Sequence, residues 1–135
     1  MAPRRTLEMQ RPLRLRHSAD FARSRRLGRI WRQPLLHLSV VPNGLPHNRY
    51  GFITGKSIGG AVVRNRVRRQ LREVLRRVHQ QLRPGYDLVW ITRNGIGTVP
   101  YTNIKAMVTD LIWRAGLNKP DQPESEPETG MKSES

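Results

Sequence analysis

A glycine-rich turn that leads into a long, basic, amphipathic segment constrains this chain more than any other feature. Residues 56–83 read KSIGGAVVRNRVRRQLREVLRRVHQQLR. At about 100° per residue the pattern predicts a helix, whose apolar face carries Val63, Val67, Leu71, Val74, Leu75, Val78 and Leu82. The opposite face carries Asn65, Arg68, Arg69, Arg72 and Arg76. Glu73 is the only acid in this helix, and like charges one turn apart repel each other. We therefore expect an anionic partner, most simply a nucleic acid, to neutralise the arginines.

The charge and length of the whole chain agree with this prediction. Its 135 residues include 25 Lys and Arg against 10 Asp and Glu, a net charge of +15, and the length fits one domain. Cysteine is absent, which excludes disulfides, cysteine-ligated zinc and thiol catalysis. No apolar run reaches the ~20 residues that span a bilayer, and the N-terminus lacks the apolar segment of a signal peptide. These features predict a cytoplasmic protein without a membrane partner.

Apolar patterns before the basic helix predict a short helix and two strands. Ser18 is a candidate N-cap for a helix from about Ala19 to Leu27. The run Leu35–Val41 predicts a strand, with a short extended piece before it at 29–31, and Tyr50–Thr54 predicts the next strand. Because the connection between these two strands is short, we expect them to form an antiparallel hairpin.

The pattern after the basic helix completes a mixed fold. Pro84-Gly85 ends the helix, and Tyr86–Thr92 predicts another strand. A last helix opens at Val99-Pro100 and ends at Gly116, and its apolar face carries Ile104, Val108, Leu111, Ile112 and Ala115. The predicted fold is α+β, a two-layer α-β sandwich with the element order α-β-β-β-α-β-α.

Composition divides the chain into three regions. Residues 1–12 hold several arginines and two prolines and predict a flexible basic arm. Residues 13–117 are predicted to form a single sandwich domain, which carries the basic helix expected to bind nucleic acid. Residues 118–135 are rich in acids, proline and serine, and such a segment buries too little apolar surface to order itself. We therefore predict a disordered tail.

The residues that could carry chemistry are few and scattered. The acids before the tail are Glu8, Asp20, Glu73, Asp87 and Asp110. None of them is paired with another at a spacing that would hold a catalytic metal ion, and the histidines share no ligand spacing. The tripeptide 55–57, Gly-Lys-Ser, imitates the end of a phosphate-binding loop, but Tyr50 stands where that motif needs glycine. We predict a binding protein without catalytic residues of its own.

One stretch resembles a known family. Residues 49–77, RYGFITGKSIGGAVVRNRVRRQLREVLRR, are similar to the signature of the bacterial ribonuclease P protein component, and the core at 61–66, AVVRNR, is its most specific part. The likeness extends from about Leu13 to Leu117. It implies a left-handed β-α-β crossover, against the usual right-handed rule. It also implies a protein that assists a catalytic RNA in removing the 5′ leader of precursor tRNA, bound 1:1 to that RNA. Magnesium would be held mainly by the RNA, without an organic cofactor.

The resemblance also implies two RNA-binding surfaces. The residues expected to contact the catalytic RNA are Arg64, Asn65, Arg66, Arg68, Arg69 and Arg72. A cleft between the first helix and the sheet, with Phe21, Arg25 and Lys56, would hold the single-stranded leader, with the phenyl ring stacked on a base. From the residues alone, a lone aromatic on a short helix would be a core residue, so the exposure of Phe21 distinguishes the two readings.

The sequence departs from the family pattern at three places. Arg25 stands where many members carry a second aromatic, Ser57 where a second lysine is common, and Gly55 where serine is usual. An alternative function for such a chain is that of a structural RNA-binding protein of the ribosomal type.

Overall fold

Seven regular elements form in the order that the sequence predicts, in a computed structural model that describes residues 13–120. The helices are α1 (Ser18–Leu27), α2 (Ala61–Val78) and α3 (Tyr101–Arg114). The strands are β1 (Arg29–Gln33), β2 (Leu36–Pro42), β3 (Arg49–Ile53) and β4 (Tyr86–Thr92). The α+β class and the order α-β-β-β-α-β-α are thereby confirmed. The predicted basic arm and the tail from residue 121 onward lie outside the described residues.

The four strands form one sheet in the order β1-β2-β4-β3. β2 pairs antiparallel with β1 and with β4, whereas β3 pairs parallel with β4. The predicted hairpin between β2 and β3 is therefore wrong, because β4 lies between them. β4 is buried along most of its length, so it needs a hydrogen-bonded strand on each edge. The parallel pair of β3 and β4 also needs a long crossover connection, which α2 provides. The handedness of this crossover stays a prediction.

The hydrophobic core lies between one face of the sheet and the helices α2 and α3. The predicted apolar face of α2 is confirmed, since Val67, Leu71, Val74 and Leu75 are buried, and Val63 and Val78 pack against the core from its margin. In α3 the residues Ile104, Val108, Leu111 and Ile112 are buried, as predicted. None of the helices between residues 13 and 120 is long and apolar enough to cross a membrane.

Helix α1 lies on the other face of the sheet. Leu38 and Val40 belong to the core, so the side chain of Ser39 points to the opposite face, where its Oγ lies 2.9 Å from the Oγ of Ser24 in α1. The prediction of Ser18 as N-cap is wrong by one residue. The carbonyl of His17 already accepts the first helical hydrogen bonds, which places Ser18 inside the first turn.

Candidate nucleic-acid interface

A cleft beside β3 brings together basic and aromatic side chains from four segments. Its volume is about 240 Å³. Residues 14–16 form one side of it, anchored where the backbone N–H of Leu15 donates to the carbonyl of Tyr50 at 2.8 Å, and α1, β3 and α2 complete it. We call this feature the arginine cleft, and its charged and aromatic lining is Arg14, Arg16, Phe21, Tyr50, Phe52, Arg68 and Arg72.

Arg72 lies half-buried in the arginine cleft. Its guanidinium carbon is 5.4 Å from the centroid of the Phe52 ring, a cation–π contact, and its Nε is buried without a hydrogen-bond partner within residues 13–120. Burial lowers the pKa of Arg72, and the charges of Arg14 and Arg68 lower it further. Each of these effects disfavours the charged form, whereas the opposite charge of an anion bound in the cleft would favour it.

Arg68 joins the arginine cleft to the neighbouring surface of α2. Its guanidinium donates to the hydroxyl of Thr54, just past the end of β3, and to Oδ1 of Asn65 at 2.6 Å. Two acceptors therefore hold this side chain in place. The predicted RNA-binding residues Asn65 and Arg68 are thus one hydrogen-bonded unit that runs from the exposed surface of α2 into the cleft.

Phe21 lines the arginine cleft from α1 and is half-buried. It lies on the face of the sheet away from the core. The ring lies over Gly51, where an added Cβ would be only 2.7 Å from Cε1 of Phe21. Phe21 is therefore not a residue of the main core, and the absence of a side chain at position 51 makes room for the ring. Its remaining exposed part can contact a ligand in the cleft.

The other predicted site residues are spread along the basic surface. Arg69, Arg25 and Lys56 are exposed and do not line the arginine cleft. Arg64 is half-buried, with an Nε that has no hydrogen-bond partner in the described part of the chain. Arg66 donates to the carbonyl of Gly97 at 2.5 Å, so this arginine also ties α2 to the turn that precedes α3.

The structure merges the two predicted surfaces at one point. Arg68 and Arg72, assigned to the catalytic RNA, line the same cleft as Phe21, assigned to the leader. Sequence reasoning did not find Arg14 and Arg16 as site residues. The alternation around Leu15, which is 5% exposed, was the available signal, because period-two burial indicates an extended segment with both arginines on its open side.

Each carboxylate within residues 13–120 is already paired with an arginine. Asp87 and Asp20 contact Arg49, and Asp110 contacts Arg114 at 3.1 Å. Hydrogen bonds from Arg76 and Arg77 lower the pKa of the fourth acid, Glu73. In the same residues, no group of three His, Cys, Asp or Glu side chains could hold a metal ion. The acids of this part of the chain therefore neutralise cations outside the arginine cleft, and the arginines inside the cleft have no carboxylate partner among them.

The α+β fold and its basic cleft define a small nucleic-acid-binding protein. The family model described as Ribonuclease P matches residues 9–116. Among similar proteins, the Ribonuclease P protein component of Herpetosiphon aurantiacus is 44% identical over 123 residues, which cover 90% of this chain and 100% of that protein. The Ribonuclease P protein component of Roseiflexus castenholzii is 42% identical over 110 residues, which cover 81% of this chain and 90% of that protein. The chain belongs to the ribonuclease P protein family.

Solved structures agree with this assignment. The RNase P protein from Thermotoga maritima is 26% identical, with a TM-score of 0.69 over 75% of this chain and 96% of that one. A Staphylococcus aureus RNase P protein shares the fold, with a TM-score of 0.73 and 24% identity. The match covers 79% of this chain and 98% of that one. The chain is thus the protein component of an endoribonuclease ribonucleoprotein that acts in tRNA 5′ processing, with an RNA as its partner in the complex. This favours the first prediction over the ribosomal-type alternative.

Proposed function

We propose that this protein holds the 5′ leader of precursor tRNA in the arginine cleft while the exposed surface of α2 binds the catalytic RNA, one protein to one RNA. The observation that carries the proposal is the placement of Phe21 beside Arg68 and Arg72 in one cleft. Proteins that bind single strands combine a basic groove along the backbone with aromatic rings that stack on bases.

The catalytic RNA would contact the N-terminal half of α2. Asn65 and Arg69 are exposed there, and Arg64 is half-exposed. Lys56, which was predicted to bind the leader, lies outside the cleft in the turn before α2, so we now place it on this surface. Arginines position the protein on phosphates, and an asparagine amide can bond a base edge or a 2′-hydroxyl. Because Arg68 bonds Asn65, the two RNA contacts meet on the same side of α2, which would place the leader next to the RNA that cleaves it.

The chemistry of this complex belongs to the RNA. Magnesium prefers oxygen ligands, often carboxylates, and every carboxylate within residues 13–120 is paired with an arginine. These residues do not fit a magnesium site of their own, so the RNA would hold the ions. The protein contributes charge neutralisation and the position of the leader, in the cytoplasm.

The test uses the holoenzyme reconstituted from catalytic RNA and protein. Phe21→Leu keeps most of the apolar volume and removes the aromatic face. Since stacking contributes about 1–3 kcal/mol per base, we expect the preference for precursor tRNA with a full leader over leaderless tRNA to fall by roughly 5- to 150-fold. Phe21→Tyr is the matched control and should retain the preference. An unchanged preference in Phe21→Leu, with an unchanged melting temperature, would refute leader binding at this cleft.

A second measurement tests the cofactor role itself. Added protein should stimulate precursor cleavage by the bare catalytic RNA at low magnesium, because the protein's cations replace part of the ionic screening. No stimulation under these conditions would contradict the role. Cleavage by protein that is free of RNA would contradict the assignment of the chemistry to the RNA.

A further inference from the structure

Helix α1 is held on the sheet by polar contacts more than by apolar burial. Ser24 is its only buried residue. Leu27 is 56% exposed, and Ala19 and Ala22 are also exposed. Since apolar attachment scales with the area removed from water, the half-buried ring of Phe21 is the main apolar contact that α1 can contribute. Other contacts must decide where this ring lies.

The first polar contact fixes the C-terminal half of α1. The hydroxyl of Ser39 donates to the backbone carbonyl of Ser24 at 3.1 Å. Because a hydroxyl has one proton, the hydroxyl of Ser24 must then donate to Oγ of Ser39, at 2.9 Å. Gly28 allows this close approach, since an added Cβ there would lie 2.2 Å from Oγ of Ser39.

The second contact is a charge network beneath the N-terminal half of α1. Its centre is the fully buried Asp87, which accepts from Nε and Nη2 of Arg49, both at 2.9 Å, and from Nδ2 of Asn43 at 3.0 Å. Arg49 extends the network to α1, because its Nη1 lies 3.5 Å from Oδ2 of Asp20. Arg23 adds a link of its own, with Nη1 3.8 Å from Asp87 and Nη2 donating to the carbonyl of Pro42.

Asp20 and Arg23 flank Phe21 in the sequence, so the network acts at the turn that carries the ring. We propose that the Arg49–Asp87 pair, through Asp20 and Arg23, positions α1 so that Phe21 lies over Gly51 and faces the arginine cleft. The four charged residues are positioning residues for the leader and do not contact it. This inference rests on the proposed binding of the leader at Phe21.

The experiment breaks the two links to α1 and leaves the buried pair intact. Asp20→Asn removes a negative charge and Arg23→Gln removes a positive one. If these residues act only through the electrostatic potential, the first variant should bind RNA more tightly and the second more weakly. If they position Phe21, both should lower the preference of the holoenzyme for precursor tRNA with a full leader over leaderless tRNA, by about fivefold or more, because small misplacements of a binding group are costly.

Asp110→Asn is the matched control. The side chain of Asp110 is 23% exposed against 24% for Asp20, and it also pairs with an arginine, but it lies on α3. This variant should leave the leader preference unchanged. Equal losses in Asp110→Asn and Asp20→Asn would assign the effect to general destabilisation, and effects of opposite sign in Asp20→Asn and Arg23→Gln would assign it to charge. Either result overturns the positioning role.

A double-mutant cycle separates this inference from the proposed function. If Asp20 acts through Phe21, then Asp20→Asn combined with Phe21→Leu should be no worse than Phe21→Leu alone. Additive losses would contradict the positioning role. If Phe21→Leu itself leaves the leader preference intact, leader binding in the cleft is wrong. If Phe21→Leu lowers the leader preference but Asp20→Asn and Arg23→Gln do not, leader binding in the cleft is supported and the charge network has only a structural role.

Discussion

Replacing Arg72 by methionine should weaken RNA binding and leave the fold nearly as stable as before. Methionine keeps the apolar stem and removes the charge. The lost cation–π contact with Phe52 is worth about 0.5–1 kcal/mol at a partly exposed site. Two effects act in the opposite direction. The variant relieves the repulsion from Arg14 and Arg68, about a few tenths of a kcal/mol each. It also removes a buried donor that has no partner within residues 13–120, and leaving such a donor unpaired destabilises the wild type by ~1 kcal/mol or more. We expect a change in melting temperature within about 5 °C in either direction.

The effect on binding should be much larger. A hydrogen bond to a charged group contributes about 1.5–3 kcal/mol, which corresponds to a loss of roughly 10- to 150-fold in affinity. One phosphate contact fewer on a single strand should also reduce the slope of log K against log salt by about 0.7. The assay is binding of leader-bearing precursor tRNA by the reconstituted holoenzyme over a tenfold range of monovalent salt.

Lys105→Met provides the matched control for Arg72→Met. Lys105 is exposed on α3, away from the arginine cleft, and the variant loses the same unit of charge. We expect its affinity for precursor tRNA to change by about twofold at most and its salt slope to stay the same. A large drop in the melting temperature of Arg72→Met with an unchanged salt slope would show that Arg72 is a structural cation on Phe52. A loss confined to assembly with the catalytic RNA would restore the original assignment of Arg72 to that RNA.

Two further predictions follow from the geometry. In Gly51→Ala the new methyl group would lie 2.7 Å from the Phe21 ring, so the ring must tilt, and we expect a severalfold loss of leader preference with normal assembly on the catalytic RNA; an unchanged preference would show that the ring position does not matter. Burial lowers the pKa of His79, so the folded state favours its neutral form. Its stabilising effect is complete above its ordinary pKa of about 6.5 and is lost as the pH falls below that value. The melting temperature should therefore decrease from pH 7 towards pH 5, and His79→Asn should weaken this dependence; an equal dependence in the variant would assign it to other groups.

Local sequence patterns predicted the helices well and the strand neighbours poorly. The spacing of Leu71, Val74 and Leu75 marks the buried face of α2 because the apolar face of a helix repeats every three or four residues and is visible in a short stretch of sequence. The pairing of β3 depends on where a distant strand inserts. Asp87 illustrates this dependence. The buried carboxylate lies opposite Arg49 in β3, but in the sequence it is a lone acid in an apolar run, and nothing near it indicates that partner. A short connection was therefore the wrong guide to pairing.

The arginine cleft depends on the same long-range placement. The sequence identified Phe21, Arg68 and Arg72 as candidates but assigned them to two surfaces, because 46 residues separate the ring from the nearer of the two arginines. They meet only because β3 is an edge strand beside which both α1 and α2 pass. The family signature named the residues, and the order of the strands brought them together.

The distribution of acids explains why these arginines can serve RNA. Asp20 and Asp87 neutralise Arg49 under α1, Glu73 neutralises the C-terminal half of α2, and Asp110 neutralises Arg114 on α3. None of the four acids within residues 13–120 pairs with an arginine between positions 64 and 72. An arginine with a protein carboxylate would lose that contact on binding a phosphate, so the exchange would gain little. An arginine without one gains the full contact. Within residues 13–120 the acids thus hold several arginines in the fold, whereas the arginines of α2 between positions 64 and 72 have no carboxylate partner there and remain available to RNA.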